Sequence, residues 1–280
     1  MNDMLKNSIK MQLSVLWERK TATIIFALLM VLVLVNFFSN VLTYQGRDVL
    51  DMYHPMKLLT FSTWSEFSYY LRQYYPLLVV IPAGFSLFAD HQLNQFIFIQ
   101  TRIGSKAYYW GKIVTVFLVT FCVFTLPFLI EIGLNMLAFP THAVGDPSNL
   151  GILDQVYLNT ISTLFFPIIK QSVYAYAFIF TLFVGVISGI LSIFTVSVSA
   201  FRIKFKVLLF LPVYLLLHFT AYLKQLVPTI NFDTNYFFYL VMHEPVRNVK
   251  ANSIAIAIFM LITVCTSLLI FLMKMNKDAL

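Results

Sequence analysis

Residues 21–41 read TATIIFALLMVLVLVNFFSNV, an apolar run without one charged side chain. A helix rises about 1.5 Å per residue, so roughly 20 such residues cross about 30 Å of hydrocarbon. The run is longer than the roughly 7–15-residue apolar core of a secretory signal, and no small-x-small cleavage site follows it. It reads as a retained membrane span. The whole chain has the same character. Of its 280 residues, 60% are hydrophobic, 17% aromatic and 11% charged, with a mean hydropathy of +0.82. A domain that faces water carries about 25% charged residues. This composition excludes a soluble enzyme or a nucleic-acid binder. The 2 cysteines, Cys122 and Cys265, both lie in apolar runs, which is neither a disulfide framework nor a metal site.

Five further stretches extend the pattern: about 71–89, 112–139, 172–201, 207–223 and 253–273. The expected fold is all-α and polytopic, with six transmembrane helices forming a single domain over 21–280 and an interfacial helix over 1–20. Pro76 and Pro82 fall in the second span and Pro212 in the fifth, where neighbouring helices must satisfy the freed carbonyls. Lys and Arg set orientation. Segments 1–21, 90–112, 201–206 and 274–280 hold twelve of the 19, against seven in the longer segments 42–72, 140–171 and 224–252. Both termini are therefore expected in the cytoplasm.

Within residues 1–20, Leu5, Ile9, Leu13 and Leu16 share one helical sector and Lys6 and Lys10 sit further round. That pattern fits an amphipathic helix on the inner leaflet with Trp17 near the interface. A partly disordered basic tail is the alternative. The outer segments contain short apolar pieces such as 236–242, YFFYLVM, which suit interfacial or re-entrant helices between the fifth and sixth spans. Gly185-x-x-x-Gly189 with Ser192 offers small residues at one-turn spacing, for packing within the subunit or against a second copy.

Titratable groups inside the spans are few. Glu131 is the acidic one, some 28 Å past Lys112 at about 1.5 Å per residue. That depth lies near the outer interface, where Glu131 either pairs with a residue such as Lys170 or serves transport. His218 either bonds within the bundle or titrates. No phosphate-binding loop is present, because Gly111-Lys112 runs into Ile113 and Gly104 stands too far back. His243-Glu244-Pro245 is no zinc-protease helix.

The loop 90–112, DHQLNQFIFIQTRIGSKAYYWGK, starts polar, carries a short amphipathic piece and turns at Gly104-Ser105. It re-enters the bilayer behind Tyr108, Tyr109 and Trp110. With Phe88-Ala89-Asp90 before it and Tyr109-x-Gly111-Lys112 at its end, it resembles the permease subunit of type-2 ATP-binding-cassette (ABC) exporters. The motif departs from that family at Asn94, where glycine is frequent, and at Arg102, where proline is. The layout of surface helix and six spans resembles the family over nearly the whole chain. The resemblance implies a coupling helix that docks on a separate ATPase through Asp90, Asn94, Gln95, Phe96, Phe98, Arg102 and Lys106. A smaller second contact would use Arg202 and Lys204. ATP and magnesium would belong to the partner, and this chain would not itself be an enzyme. A second permease copy or a homologous permease, membrane lipids and a place in the plasma membrane are also implied. The cargo would be amphipathic or hydrophobic: a peptide, drug or lipid-like molecule, including antimicrobial peptides in self-protection. Two other classes remain open: an ion-coupled secondary transporter, which wants buried ionisable residues, and a membrane enzyme acting on lipids, which wants clustered Glu, His or Asp at one face.

Overall fold

A computed structural model describes residues 2–93, 95–141, 163–201, 203–246 and 248–278. Among them the chain is helical, with only two isolated β-bridges, Ser62 to Met242 and Thr163 to Pro245. The α-helices are α1 (Asn2–Glu18), α2 (Thr21–Tyr44), α3 (Glu66–Leu78), α4 (Ser86–Gln92), α5 (Gln95–Ile103), α6 (Ser105–Ala138), α7 (Phe166–Gln171), α8 (Val173–Ser199), α9 (Leu211–Leu226) and α10 (Val249–Asp278). Five helical stretches are long and apolar enough to cross a bilayer: Thr21–Tyr44, Ser105–Ala138, Val173–Ser199, Lys206–Leu226 and Val249–Asn276. The protein is a multi-pass helical membrane protein.

The expected second span is not one continuous helix. Residues 79–85, VVIPAGF, interrupt it between α3 and α4. Pro82 has no amide proton and its ring crowds the carbonyl four residues back. Gly84 completes the break, since a Cβ there would collide with the Val80 carbonyl. The two pieces are tied to the α2 region at separate points. Ser65, just before α3, bonds Asn36 of α2 at 2.9 Å, whereas Asp90 of α4 reaches Arg19 just ahead of α2 at 2.8 Å. From Thr21, where α2 begins beside Arg19, to Asn36 the helix rises about 22 Å. Pro127 sits inside α6 without ending it, and Pro212 opens α9, where a proline costs nothing.

Apolar side chains gain little by leaving lipid for a helix interface, so close approach decides packing. The most extensive interface is α6 on α8. A Cβ at Gly185 would strike Thr125 and Phe121, and one at Gly189 would strike Phe117. Ser192, one turn on, is fully buried. Phe61, Phe124, Phe128, Tyr75 and Phe180 fill the centre of the bundle. By contrast α9 and α10 leave Leu215, Phe219, Ile254, Ile258 and Leu261 exposed, a lipid-facing surface.

Two expectations are revised. α1 does form, but its buried face is Ser8, Gln12 and Leu16, packed on the start of α6. Of the apolar stripe, Leu5 and Ile9 are half-buried and Leu13 is exposed, with Trp17 76% exposed. Between α9 and α10 the described residues form one 3-10 turn, Tyr236–Tyr239, rather than re-entrant helices. Pro228, Asn231, Asp233 and Asn235 favour turns there, and the Asn235 side chain accepts from the Phe237 amide at 3.0 Å.

Candidate functional site

Two carboxylates lie deep inside the bundle, at opposite ends. Asp90 closes α4 and is 2% exposed. Arg19 Nη2 donates to its Oδ1 at 2.8 Å, while Lys112 Nζ and the Tyr108 hydroxyl donate to its Oδ2 at 2.7 and 2.6 Å. Arg19 also donates to the Ser86 carbonyl at 3.1 Å. Burial pushes the Asp90 carboxyl up, but Lys112, Tyr108 and Arg19 outweigh it and hold the group below the ordinary carboxylate range. The cluster ties together the α1–α2 corner, the end of α4 and the first turns of α6. Gly111, beside Lys112, lets α1 in: a Cβ there would collide with Ser8 Oγ, and Gln12 Nε2 reaches the Tyr108 carbonyl at 3.0 Å. The Gly-Lys pair thus has a structural cause in both residues. Asp90 presents no surface to a docking partner, which corrects its place in the expected ATPase contact.

Directly after α4 comes α5, the short helix expected between the second and third spans. It ends at Ile103, and Gly104 turns the chain into α6 with φ 84°, a value suited to glycine. Arg102 and Lys106 are exposed on this end of the molecule, as is Lys204. Gln95, Phe96 and Phe98 belong to α5, but their side chains, like Asn94 and Arg202, lie outside the described residues.

Glu131 is fully buried on α6, not near water as its depth had implied. One oxygen, Oε1, accepts three hydrogen bonds: from Asn36 Nδ2 at 2.8 Å, from the Thr60 amide at 2.8 Å and from Thr60 Oγ1 at 2.7 Å. Its other oxygen, Oε2, has no partner, and neither has the carboxamide of Asn135 one turn along. All of its partners are neutral; the Lys170 side chain lies outside the described residues. Asn36 also donates to the Leu58 carbonyl at 2.8 Å, as Asn40 does at 2.9 Å. These bonds pull the 45–65 segment down between α2 and α6.

Above this cluster the connecting segments pack together. The Met242 amide donates to the Phe61 carbonyl at 2.8 Å. Lys57 Nζ sits 4.6 Å from the Trp64 ring centroid, a cation–π distance. His243 rests against Trp64 and Tyr176. Burial, with Lys57 and His54 near, pushes its imidazole down to about 3, so it stays neutral. A cavity of about 500 Å³ opens between α9 and α10, walled by Leu217, Thr220, Ile254, Ile258 and Phe259 with Tyr75 behind. His218 stacks on Tyr214 at 3.9 Å, and its Nδ1 lies 3.0 Å from the Tyr214 carbonyl.

Sequence reading singled out Asp90 and Glu131 but none of their partners. Arg19 had counted only as an orientation charge and Lys112 as that and as the end of the loop motif, while Asn36, Thr60 and Asn135 went unremarked. An amide inside an otherwise apolar span, as Asn36 is, was the available signal. Among the described residues no three His, Cys, Asp or Glu gather as a metal site. No family model, curated protein or solved structure matches the chain.

Proposed function

We propose that this chain is the transmembrane permease subunit of an ATP-driven ABC exporter, moved by alternating access through a separate ATPase. Six spans would cross the plasma membrane, the α3–α4 pair serving as the second, with both termini and α5 in the cytoplasm. The observation that carries this reading is α5 itself: a short helix between two spans, exposing Arg102, ending in a glycine turn, and rooted in the bundle through Asp90. A push on α5 is transmitted to α4, α6 and the α1–α2 corner together. No nucleotide-binding loop accompanies it in the sequence, so ATP and magnesium belong to the partner. The apolar cavity between α9 and α10 supports an amphipathic or hydrophobic cargo, antimicrobial peptides among them. A second permease copy or homologue would complete the path. A second reading, ion-coupled transport, is favoured by one observation: Glu131 is buried and has no countercharge among the described residues.

Purification in mild detergent tests both. The first reading expects a stoichiometric ATPase subunit whose hydrolysis is coupled to cargo movement. Coupling should be lost when Arg102→Glu is combined with Asn94→Ala. Transport by the chain alone, driven by an ion gradient and with no nucleotide-hydrolysing subunit, overturns it in favour of the second.

A further inference from the structure

We infer that Glu131, with Asn135 and Thr60, forms a binding site for one monovalent cation, a proton or a sodium ion, held at Glu131 Oε2. The donor arithmetic leads there. Oε1 takes three hydrogen bonds, one from Asn36 of α2 and two from Thr60 of the 45–65 segment. Oε2 takes none, although it is as deeply buried. Asn135 stands one helical turn away on the same face of α6. Its carboxamide oxygen and nitrogen are both buried and both unpartnered. Three bare, buried polar atoms thus lie within one turn of α6, and no protein group among the described residues satisfies them. A buried carboxylate is held in a membrane only when its charge is neutralised. A proton on Oε2 would turn that oxygen into a donor, toward Asn135 Oδ1 directly or through a water. A sodium ion would take both oxygens as ligands.

Countercharges from elsewhere do not meet this need. Titratable groups on the surrounding elements include Lys57 and His54 of the outer turns, Arg72 and Tyr75 of α3, Tyr176 of α8 and His243; Arg72 donates to the Ser68 carbonyl at 3.3 Å and lies over Phe237. Lys57 lies over Trp64, the Tyr75 hydroxyl bonds Ser188 at 2.8 Å, and Tyr176 accepts from the His243 amide at 3.2 Å. Among the described residues none forms an ion pair with Glu131. The bound cation also has a mechanical consequence. Through Oε1 the same carboxyl pins Thr60 and Asn36, so its charge state bears on how firmly the 45–65 segment stays seated. The site does not depend on whether an ATPase docks at α5.

The test uses the full chain in lipid nanodiscs, with thermal unfolding followed between about pH 5 and about pH 9 in sodium-free buffer. A native proton that the unfolded chain releases makes stability fall as pH rises. The proton form therefore expects the unfolding midpoint of the wild type to drop towards alkaline pH and that of Glu131→Gln to stay flat. It also expects an infrared difference spectrum of the wild type to lose a protonated-carboxyl stretch over the same range. The sodium form expects the alkaline midpoint to rise with sodium chloride but not with N-methylglucamine chloride, and saturable binding of radioactive sodium at one ion per chain. Either pattern supports the site. If pH and sodium leave the wild-type midpoint unmoved, no carboxyl band appears and no sodium binds, the inference is overturned. These wild-type readings decide the matter even where the Glu131→Gln chain fails to fold.

Discussion

Two of the buried carboxylates, Asp90 and Glu131, share one apolar bundle and differ in what surrounds them. Asp90 meets two cations and a phenol. Glu131 meets two amides and a hydroxyl on one oxygen and nothing on the other. Burying a charge costs several kcal/mol of hydration, and only a nearby opposite charge or neutralisation of the group recovers it. At Asp90 the protein supplies that charge permanently. Three chain segments are welded there, at the root of the helix proposed to take up force. At Glu131 the described residues supply only dipoles, and the inferred cation would bring the balancing charge. One site is a staple and the other a socket, and the difference can be attacked from either side.

The largest effect is expected from Asp90→Asn. It strands the fully enclosed Lys112 ammonium without its partner, and losing one member of a buried pair costs about 3–5 kcal/mol. The thermal midpoint and the yield of folded protein in detergent would both fall. Adding Lys112→Met removes the stranded charge, so the double variant is expected to regain much of the loss. The pH profile carries the contrast further. The Asp90 carboxyl is held below its ordinary value in the native state. Its contribution is therefore present above the ordinary carboxylate pKa of about 3.9 and is lost as pH falls through the lowered native value. Stability should have an acid limb removed by Asp90→Asn and, with a proton at the socket, an alkaline limb removed by Glu131→Gln. If one substitution abolishes both limbs, the two sites are not independent.

How much of this was legible beforehand follows from the range over which each feature is encoded. The spans at 21–41, 112–139, 172–201 and 253–273 announce themselves because hydropathy is a local sum. The break in the second span is less visible. Pro82 marks a weak point, but whether a membrane helix bends or splits there depends on Gly84 and on Thr195 packed beside it. Asp90 and Lys112 both belonged to a readable motif. Their pairing did not, since Arg19 lies 71 residues from Asp90 and Lys112 lies 22 away. Glu131 stood out as the carboxylate in an apolar run. Its burial was not legible, because helix rise counts distance along one rod and knows nothing of the 45–65 segment folding back over it. The 3-10 turn between α9 and α10 shows the converse error: apolarity over 236–242 was read as helix, while the turn formers just before it decided the backbone.

A middle-sized effect should separate the staple from its brace. Gly111→Ala places a methyl group where Ser8 of α1 now lies, and such overpacking costs about 1–3 kcal/mol. Part is returned by the better helix propensity of alanine, about 1 kcal/mol. Ser8→Gly in the same chain clears the space, so the double variant should unfold close to the wild type. A double-mutant cycle on thermal midpoints measures that coupling. The brace touches only the Asp90 end, so the alkaline limb assigned to Glu131 should be unaltered in both variants.

Glu131→Gln is expected to be nearly silent at acid pH, within about 1 kcal/mol of wild type, because a protonated carboxyl and a carboxamide both present a neutral acceptor to Asn36 and Thr60. The gap should open as pH rises without sodium, with the variant becoming the more stable of the two. A substitution that is harmless when the socket is filled and stabilising when it is empty is the signature of a ligand site rather than of a staple, which Asp90→Asn cannot reproduce at any pH. The smallest effect on stability belongs to Arg102→Glu, within about 0.5 kcal/mol as for an exposed position that touches neither cluster. On α5 that near-silence in unfolding is informative, because the same substitution, joined to Asn94→Ala, is expected to break coupling to an ATPase. Loss of stability there would mean that Arg102 helps to hold the bundle, and α5 would then be part of the staple instead of the surface it supports.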